Sequence, residues 1–270
     1  MINILVVVFN KPFGESTTLT ELLYISKSGI LKQARLIIWD NSLVKVDATE
    51  LDLLKEYLGD IVIVHTPENL PLSKIYNNVI NNYIQPADYL ILLDHDTLIT
   101  KEYFTEIIDK VSANNSPDLL LPRVIVNGKI ESPAYQYILF SKRWTRHLSG
   151  FYNSRYVTAI NSGMVISGRF LASGFKYDER LLFYGTDTFM MYEYCKFNSK
   201  FYLLNVDLKH DLNLLSNPSV GQKAKIFKAI KKANLIVYSS NGLHFVLTLI
   251  NNVVVAVKYA IKYRSLIFFK

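Results

Sequence analysis

Two carboxylates one residue apart, Asp94 and Asp96, follow an apolar run in the stretch "YLILLDHDT". A short apolar run of this kind reads as a buried strand, and its end then aims two like charges at one place. Like charges that close need a partner, and hard oxygen ligands at a strand end suit a divalent cation, Mn2+ or Mg2+. A solvated acid pair after a strand has the same sequence, because D-x-D alone is common.

The elements that must position this pair alternate in type. Residues 3–9, 34–39, 61–65 and 89–93 read as strands, and 18–26, 48–57, 73–82 and 101–112 as helices. Thr18 and Glu21 have the spacing of a capping box for the first helix, with Gly29 beyond its end, and Pro71 opens the third. This order predicts an α/β fold with a parallel sheet and helices on both faces. Such sheets bind ligands beyond the carboxyl ends of their strands. Asp40, after "LIIW", and Asp94, after "LILL", are therefore expected to line one crevice. The second half differs. Asn127-Gly128 is a hairpin signal, and residues 132–156 are rich in aromatics, with Arg143, Arg146 and Arg155 among them. "INSGMVIS" reads as a strand, 186–197 as a helix and "KFYLLNVDLKHD" as a returning strand.

Several separated motifs, in order over residues 3–211, resemble family 2 glycosyltransferases of the bacterial rhamnosyltransferase-like branch. "ILVVVFNKP" resembles that family's first strand and base-contacting turn, and "IIWDNS" its second-strand element. "ENLPLSKIYNNVI" is similar to N-x-G-x-x-x-A-x-N-x-x-I, with Pro71 and Ile75 in place of small residues. "LLDHDT" matches the D-x-D, "NSGMVIS" the acceptor-side strand, and "DERLLFYGTDTFMMYEY" the segment holding the catalytic base. The resemblance implies the GT-A nucleotide-diphospho-sugar transferase fold, with a Rossmann-like, mostly parallel central sheet flanked by helices. It implies a nucleotide-sugar donor carrying UDP or dTDP, bound by Phe9, Asn10, Asp40, Asn41, Lys74, Asp94, His95 and Asp96. It places the base at Asp187, the metal on Asp94, Asp96 and His210, and the acceptor beside Asn161, Ser162, Gly163 and Trp144. Phe189 stands where the family often has a second acid.

Each role has a plainer counterpart. Asp40 either accepts a hydrogen bond from the N3–H of a pyrimidine or belongs to a turn, as Asp-Asn-Ser favours. Asp187 either takes a proton from an acceptor hydroxyl or complements a helix N-terminus, and both can hold. His210 is a metal ligand or structural, Lys74 a diphosphate contact or a solvated helix lysine, and Gly163 a close-approach point or a bulge. "LILLDHDTLIT" also resembles the signature of haloacid-dehalogenase-type phosphatases, with Asp94 as nucleophile. That family carries it on the first strand, whereas three β-α units precede it here. A transferase-like protein that binds nucleotide-sugar without turnover is the non-enzyme alternative.

The 270 residues, 50% of them hydrophobic, suffice for one large domain and an appendage. A lone cysteine, Cys195, excludes an internal disulfide framework and points to a reducing compartment. The N-terminus has no basic stretch and reads as a strand, not a signal peptide; no segment reads as a membrane span. Charge divides the chain at Asp211. Residues 212–270 hold nine Lys/Arg and no acid, against 21 basic and 23 acidic residues before them. That predicts a catalytic domain over 1–211 and a basic helical tail over 212–270. The tail's apolar content suits the surface of an anionic membrane rather than nucleic acid, with Asn251-Asn252 expected to interrupt its last helix. A lipid-linked saccharide acceptor at the cytoplasmic face of the membrane is the matching expectation.

Overall fold

The computed structural model describes residues 1–138, 140–145, 148–210 and 218–269, without the side chains of Glu50 and His210. The first half is four β-α units: β1 (Ile2–Val8), α1 (Thr17–Ser26), β2 (Ala34–Asp40), α2 (Asp52–Tyr57), β3 (Asp60–His65), α3 (Leu72–Tyr83), β4 (Tyr89–Asp94) and, after the two-residue β5 (Thr97–Leu98), α4 (Lys101–Val111). Strands β1 to β4 pair in parallel in the order β3-β2-β1-β4. Alternation along the pleat splits the core. Ile4, Val6 and Val8 face α1, α2 and α4, while Leu5 and Val7 face α3 and the second half of the chain. A strand buried on both faces must be apolar throughout, and "ILVVV" and "LILL" are.

The second half extends the same sheet and adds a small one. It comprises β6 (Leu119–Val126), β7 (Lys129–Ser132), β8 (Ala134–Tyr137), β9 (Phe140–Arg143), β10 (Gly150–Asn153), β11 (Val157–Thr158), β12 (Met164–Ser167), α5 (Gly168–Ala172), α6 (Thr186–Phe197) and β13 (Lys200–His210). The main sheet runs β10-β13-β6-β12-β4-β1-β2-β3, with β12 antiparallel to β4 and β6, and β10 antiparallel to β13. Strands β11, β8 and β9 form the second sheet. The β6–β7 hairpin turns on Asn127 and Gly128, both at positive φ (50° and 72°), as an Asn-Gly turn requires.

Three local expectations change. Helix α1 is capped by Ser16, whose Oγ accepts from Leu19 N, not by a Thr18–Glu21 box; the Thr18 hydroxyl is spent elsewhere. The 48–57 helix is a 3-10 turn, Thr49–Leu51, leading into the shorter α2. In the tail, α7 (Val220–Val237) and α8 (Gly242–Tyr263) precede a final 3-10 turn, Leu266–Phe269, and α8 runs unbroken through Asn251-Asn252. Packing of the α8 face that carries Thr248, Asn252 and Ala256, with Ala256 in the tail's apolar cluster, outweighs the modest helix propensity of asparagine. At 22 residues α8 is long and apolar enough to cross a membrane, contrary to the expectation of no such segment.

The tail is docked on the domain. Ala233, Val237 and Tyr238 pack against Leu181, Phe189 and Tyr192. Gly185, the N-cap of α6 at φ 86°, has no room for a side chain: a Cβ would stand 3.0 Å from Ala233 Cβ.

Gly168 marks another close approach, where β12 passes into α5 beside the loop leading to β4. Its N–H donates to Asp88 O at 2.6 Å, and a Cβ would lie 1.9 Å from Gln85 O. Gly168→Ala is expected to cost about 1–3 kcal/mol through overpacking, read as a fall in chemical-denaturation midpoint at unchanged m-value.

Candidate functional site

Asp40 ends β2 opposite Val8, and Asp94 ends β4 opposite Val7. The two acids thus flank β1 at the same edge of the sheet, about 10 Å apart by two strand spacings. The loop carrying Asp94, His95 and Asp96 is clamped by the start of α1. His95 O accepts from Thr18 N (3.2 Å) and Ser16 Oγ (2.8 Å). The Thr18 hydroxyl lies 2.5 Å from Asp94 O and 3.0 Å from Thr97 O, and accepts from Thr97 N at 2.9 Å. From the other side, Ser162 Oγ accepts from Asp94 N at 3.2 Å and hydrogen-bonds Thr97 Oγ1. The turn's backbone is fixed from two directions, and Asp94 and Asp96 remain part-buried at its surface.

Asp187 comes from a different element. It sits in the first turn of α6, where a carboxylate complements the helix dipole, and its Oδ1 accepts from Thr188 N at 2.7 Å. The neighbouring Thr186 Oγ1 accepts from Asn161 Nδ2 at 2.9 Å. Asn161 and Ser162 therefore link the α6 start to the Asp94 turn through adjacent residues. The electrostatics agree. Burial pushes the Asp187 carboxyl up from its ordinary value, and the Asp94 carboxylate adds to the shift. Tyr76 on α3 is held well above its ordinary value by burial, then by Asp94, Tyr177 and Asp187. Tyr76, Tyr177, Asp94 and Asp187 thus share one site. Asn161 Oδ1 and the Tyr177 hydroxyl are buried in it without a hydrogen-bond partner among the described residues.

Motif residues on α3 hold the chain leading to Asp187. Buried Ser73 donates to Leu181 O (2.8 Å), and Asn77 bonds both the N–H and the C=O of Tyr177 (2.8 and 2.9 Å). Asp178 turns back onto its own Arg180, which holds its carboxyl below the ordinary value, so "YDER" is a turn. Ser16, Ser73, Tyr76 and Tyr177 were not singled out by sequence, and Thr18 was read only as part of a capping box. Apolar periodicity does not mark them; the signal available was buried hydroxyls at helix starts.

Several expected contacts are braces instead. Asn41 uses its whole amide: Nδ2 donates to Asn69 Oδ1 and Leu70 O, and Oδ1 accepts from Thr66 Oγ1 and Leu70 N. Nothing remains for a nucleotide. Asp40 is wholly buried, with Oδ1 accepting from Ser42 N and Oδ2 from Val46 N, and His65 4.0 Å away. It fixes its own turn, and reading a base would require residues 42–46 to move. Ser162 is buried in the clamp on the Asp94 turn. Gly163, at φ 85°, donates to Leu92 O and would place a Cβ 2.6 Å from Leu208 Cδ1, so it serves close packing rather than the acceptor. Trp144 is a core residue at 3% exposure, packed on Tyr135, Tyr152 and Phe201, and cannot form an acceptor wall. The exposed aromatics there are Phe140, Phe151 and Tyr156; Phe140 and Tyr156 stack on Tyr137, with the Arg155 guanidinium 4.8 Å over Tyr156.

Phe9 and Asn10 follow β1 at the same sheet edge. Phe9 is exposed, and Asn10, at φ 49°, donates its N–H to Ser42 Oγ. Lys74 is exposed on α3. The backbone of His210 pairs with Thr97, beside the metal-type pair, but its side chain lies outside the described residues. Among the described residues no three His, Cys, Asp or Glu side chains cluster as a metal cage. Two carboxylates on one turn still fit Mg2+ or Mn2+, which commonly take one or two protein carboxylates and complete their shell with phosphate and water.

No protein-family model and no curated protein matches the chain. Solved structures do. GalNAc-T7 with UDP, GalNAc and Mn2+ aligns at TM-score 0.58 and 13% identity, over 84% of this chain and 47% of that one. S. aureus TarS 1-349 aligns at TM-score 0.52 and 15% identity, over 87% of this chain and 65% of that one. The same protein in complex with UDP aligns at TM-score 0.50 over the same shares. This chain thus spans about two thirds of one neighbour and half of the other. At such identity the likeness is one of fold, and the fold is that of GT-A glycosyltransferases.

Proposed function

We propose that the chain is an inverting glycosyltransferase, moving one sugar from a UDP- or dTDP-activated donor to a lipid-linked saccharide. The observation that carries this reading is the pairing of Asp94, on a metal-type turn, with a raised carboxyl at Asp187 across the same site. Two environments that push acids apart in pKa are how one site supplies both an anionic ligand and a proton acceptor. The GT-A fold supports it, as do the UDP and Mn2+ bound to its neighbours. The D-x-D turn stands on the fourth strand of a GT-A sheet, so nothing favours the dehalogenase-type reading.

Asp187 accepts the proton of an acceptor hydroxyl. That oxygen forms a bond to the anomeric carbon as the bond from that carbon to the diphosphate oxygen breaks. The electron pair leaves with the nucleoside diphosphate, and the anomeric centre inverts. A cation on Asp94 and Asp96 would neutralise charge on the departing diphosphate. The Tyr137–Phe140–Tyr156 stack with Arg155 suits an acceptor of sugar rings and phosphate. Rhamnose, galactose and glucose all suit the donor, and a cell-surface polysaccharide is the matching product. The basic tail and the exposed apolar residues of α8 favour a peripheral position on the inner face of the cell membrane.

Nucleotide release from UDP- and dTDP-sugars in Mn2+ tests the reading. Asp187→Asn is expected to lose about 100- to 10,000-fold in kcat, and Asp96→Ala about 100-fold with a raised Mn2+ requirement. Wild-type release indifferent to both substitutions would remove it. The rate should rise with pH on an acid limb lying above the usual carboxylate range, since Asp187 must be ionised to act.

The same shift has a consequence for stability. A carboxyl raised by folding holds its proton more tightly in the folded chain. Its stabilising contribution is present below the unfolded pKa and disappears as pH rises through the folded value. Asp187→Asn should therefore melt higher than wild type at neutral pH, with the gap closing in acid. Thr18→Val, which strips three backbone groups of their clamp, should cost about 1–3 kcal/mol and raise the KM for donor more than it lowers kcat. Thr18→Ser should restore both.

A further inference from the structure

Between α7 and the Leu266–Phe269 turn lies an open groove of about 510 Å3, a volume ordinary for a small amphiphile. Its walls are apolar, with Phe227, Leu235 and Ile267 among them. Its rim is not: Lys225, Lys228, Lys231 and Lys232 line it from α7. Among the described residues none of these lysines pairs with a carboxylate, and residues 212–270 contain no Asp or Glu to pair with. Four uncompensated cations around an apolar trough are complementary to a ligand with a negative head and a hydrocarbon body. The setting matches. Val246, Ile250, Val253, Val257 and Ile261 recur at helical spacing on α8, all at least 41% exposed, and Phe269 and Leu266 are exposed beside the groove.

We propose that this groove is a binding site for one anionic bilayer phospholipid, with its phosphate among the four lysines and an acyl chain against Phe227, Leu235 and Ile267. The inference rests on the membrane-surface reading above and adds to it a specific lipid and a place for it. The consequence is positional. Lys232 also borders the crevice formed with Leu182, Phe183 and Tyr184, the exposed apolar loop that runs through Gly185 into Asp187. A lipid seated in the groove would fix the height of that loop above the bilayer and so present the site to an acceptor held in the membrane.

The test uses the full chain. Sedimentation with phosphatidylcholine vesicles, and with vesicles that also contain phosphatidylglycerol, measures the gain due to anionic lipid. That gain should fall about fivefold for each lysine replaced in a Lys225→Gln, Lys228→Gln, Lys231→Gln, Lys232→Gln series. Native mass spectrometry with a short-chain, soluble phosphatidylglycerol should show a one-to-one adduct. Leu235→Asp should abolish that adduct while leaving the circular dichroism spectrum unchanged. Equal binding to both vesicle types would overturn the lipid site and leave the membrane reading standing; no binding to either would remove both. An adduct formed as readily by the deacylated headgroup, glycerophosphoglycerol, would show charge attraction alone and sink the groove. An undiminished adduct in Leu235→Asp would sink it too.

Discussion

The backbone hydrogen bonds that fix the Asp94 turn are the constraint on which the candidate site depends. Asp96 is two residues from Asp94, and Asp187, raised chiefly by its burial and in lesser part by the Asp94 charge, faces the same site. Left to a flexible loop, such groups would drift apart into water. Here the Asp94 turn is held by the start of α1 on one side and by Ser162 on the other, and Asp187 is held by a helix N-terminus. The restraints on the Asp94 turn are hydrogen bonds between its backbone and buried hydroxyls. They fix the positions of the carboxylates through the backbone that carries them.

The same logic separates what the sequence made visible from what it did not. Strands were legible because a buried parallel strand must be apolar along its whole length, and "ILVVV", "LIIW" and "LILL" have few other uses. Asp94 and Asp187 were legible because an acid at a strand end or a helix start is conspicuous against such runs. Asn41, Asp40, Ser162 and Gly163 lie in the same motifs, yet their side chains or backbones face inward. A motif records which residues a site needs, whether they touch a ligand or hold the residues that do. Only coordinates separate the two, because the distinction lies in what each polar atom bonds.

Trp144 illustrates a further limit. An aromatic in its segment suggests stacking on a sugar ring, but its burial is decided by separate strands that fold over it: Tyr135 from β8, Tyr152 from β10 and, far along the chain, Phe201 from β13. The unbroken α8 is a similar case. Two adjacent asparagines weaken a helix in isolation, yet Thr248 and Ala256, one turn to either side of Asn252, are buried in the tail and carry the helix through them. Local propensity gives way wherever packing supplies more than the few tenths of a kcal/mol at stake per residue.

The tail's charge has a physical reading that its composition alone did not supply. Lysines spread evenly over a solvated helix would promote solubility and little else. Here Ala233, Val237 and Tyr238 pack α7 against Leu181, Phe189 and Tyr192, so its lysines are tied to the α6 that carries Asp187. Gly185, the α6 cap, lies close to Ala233, where an added Cβ would stand 3.0 Å away. Whatever surface draws the lysines therefore also sets the orientation of α6. A charged tail on a flexible linker would only concentrate a chain at a surface; one docked against the helix that bears Asp187 also ties the orientation of that helix to the surface that the tail meets.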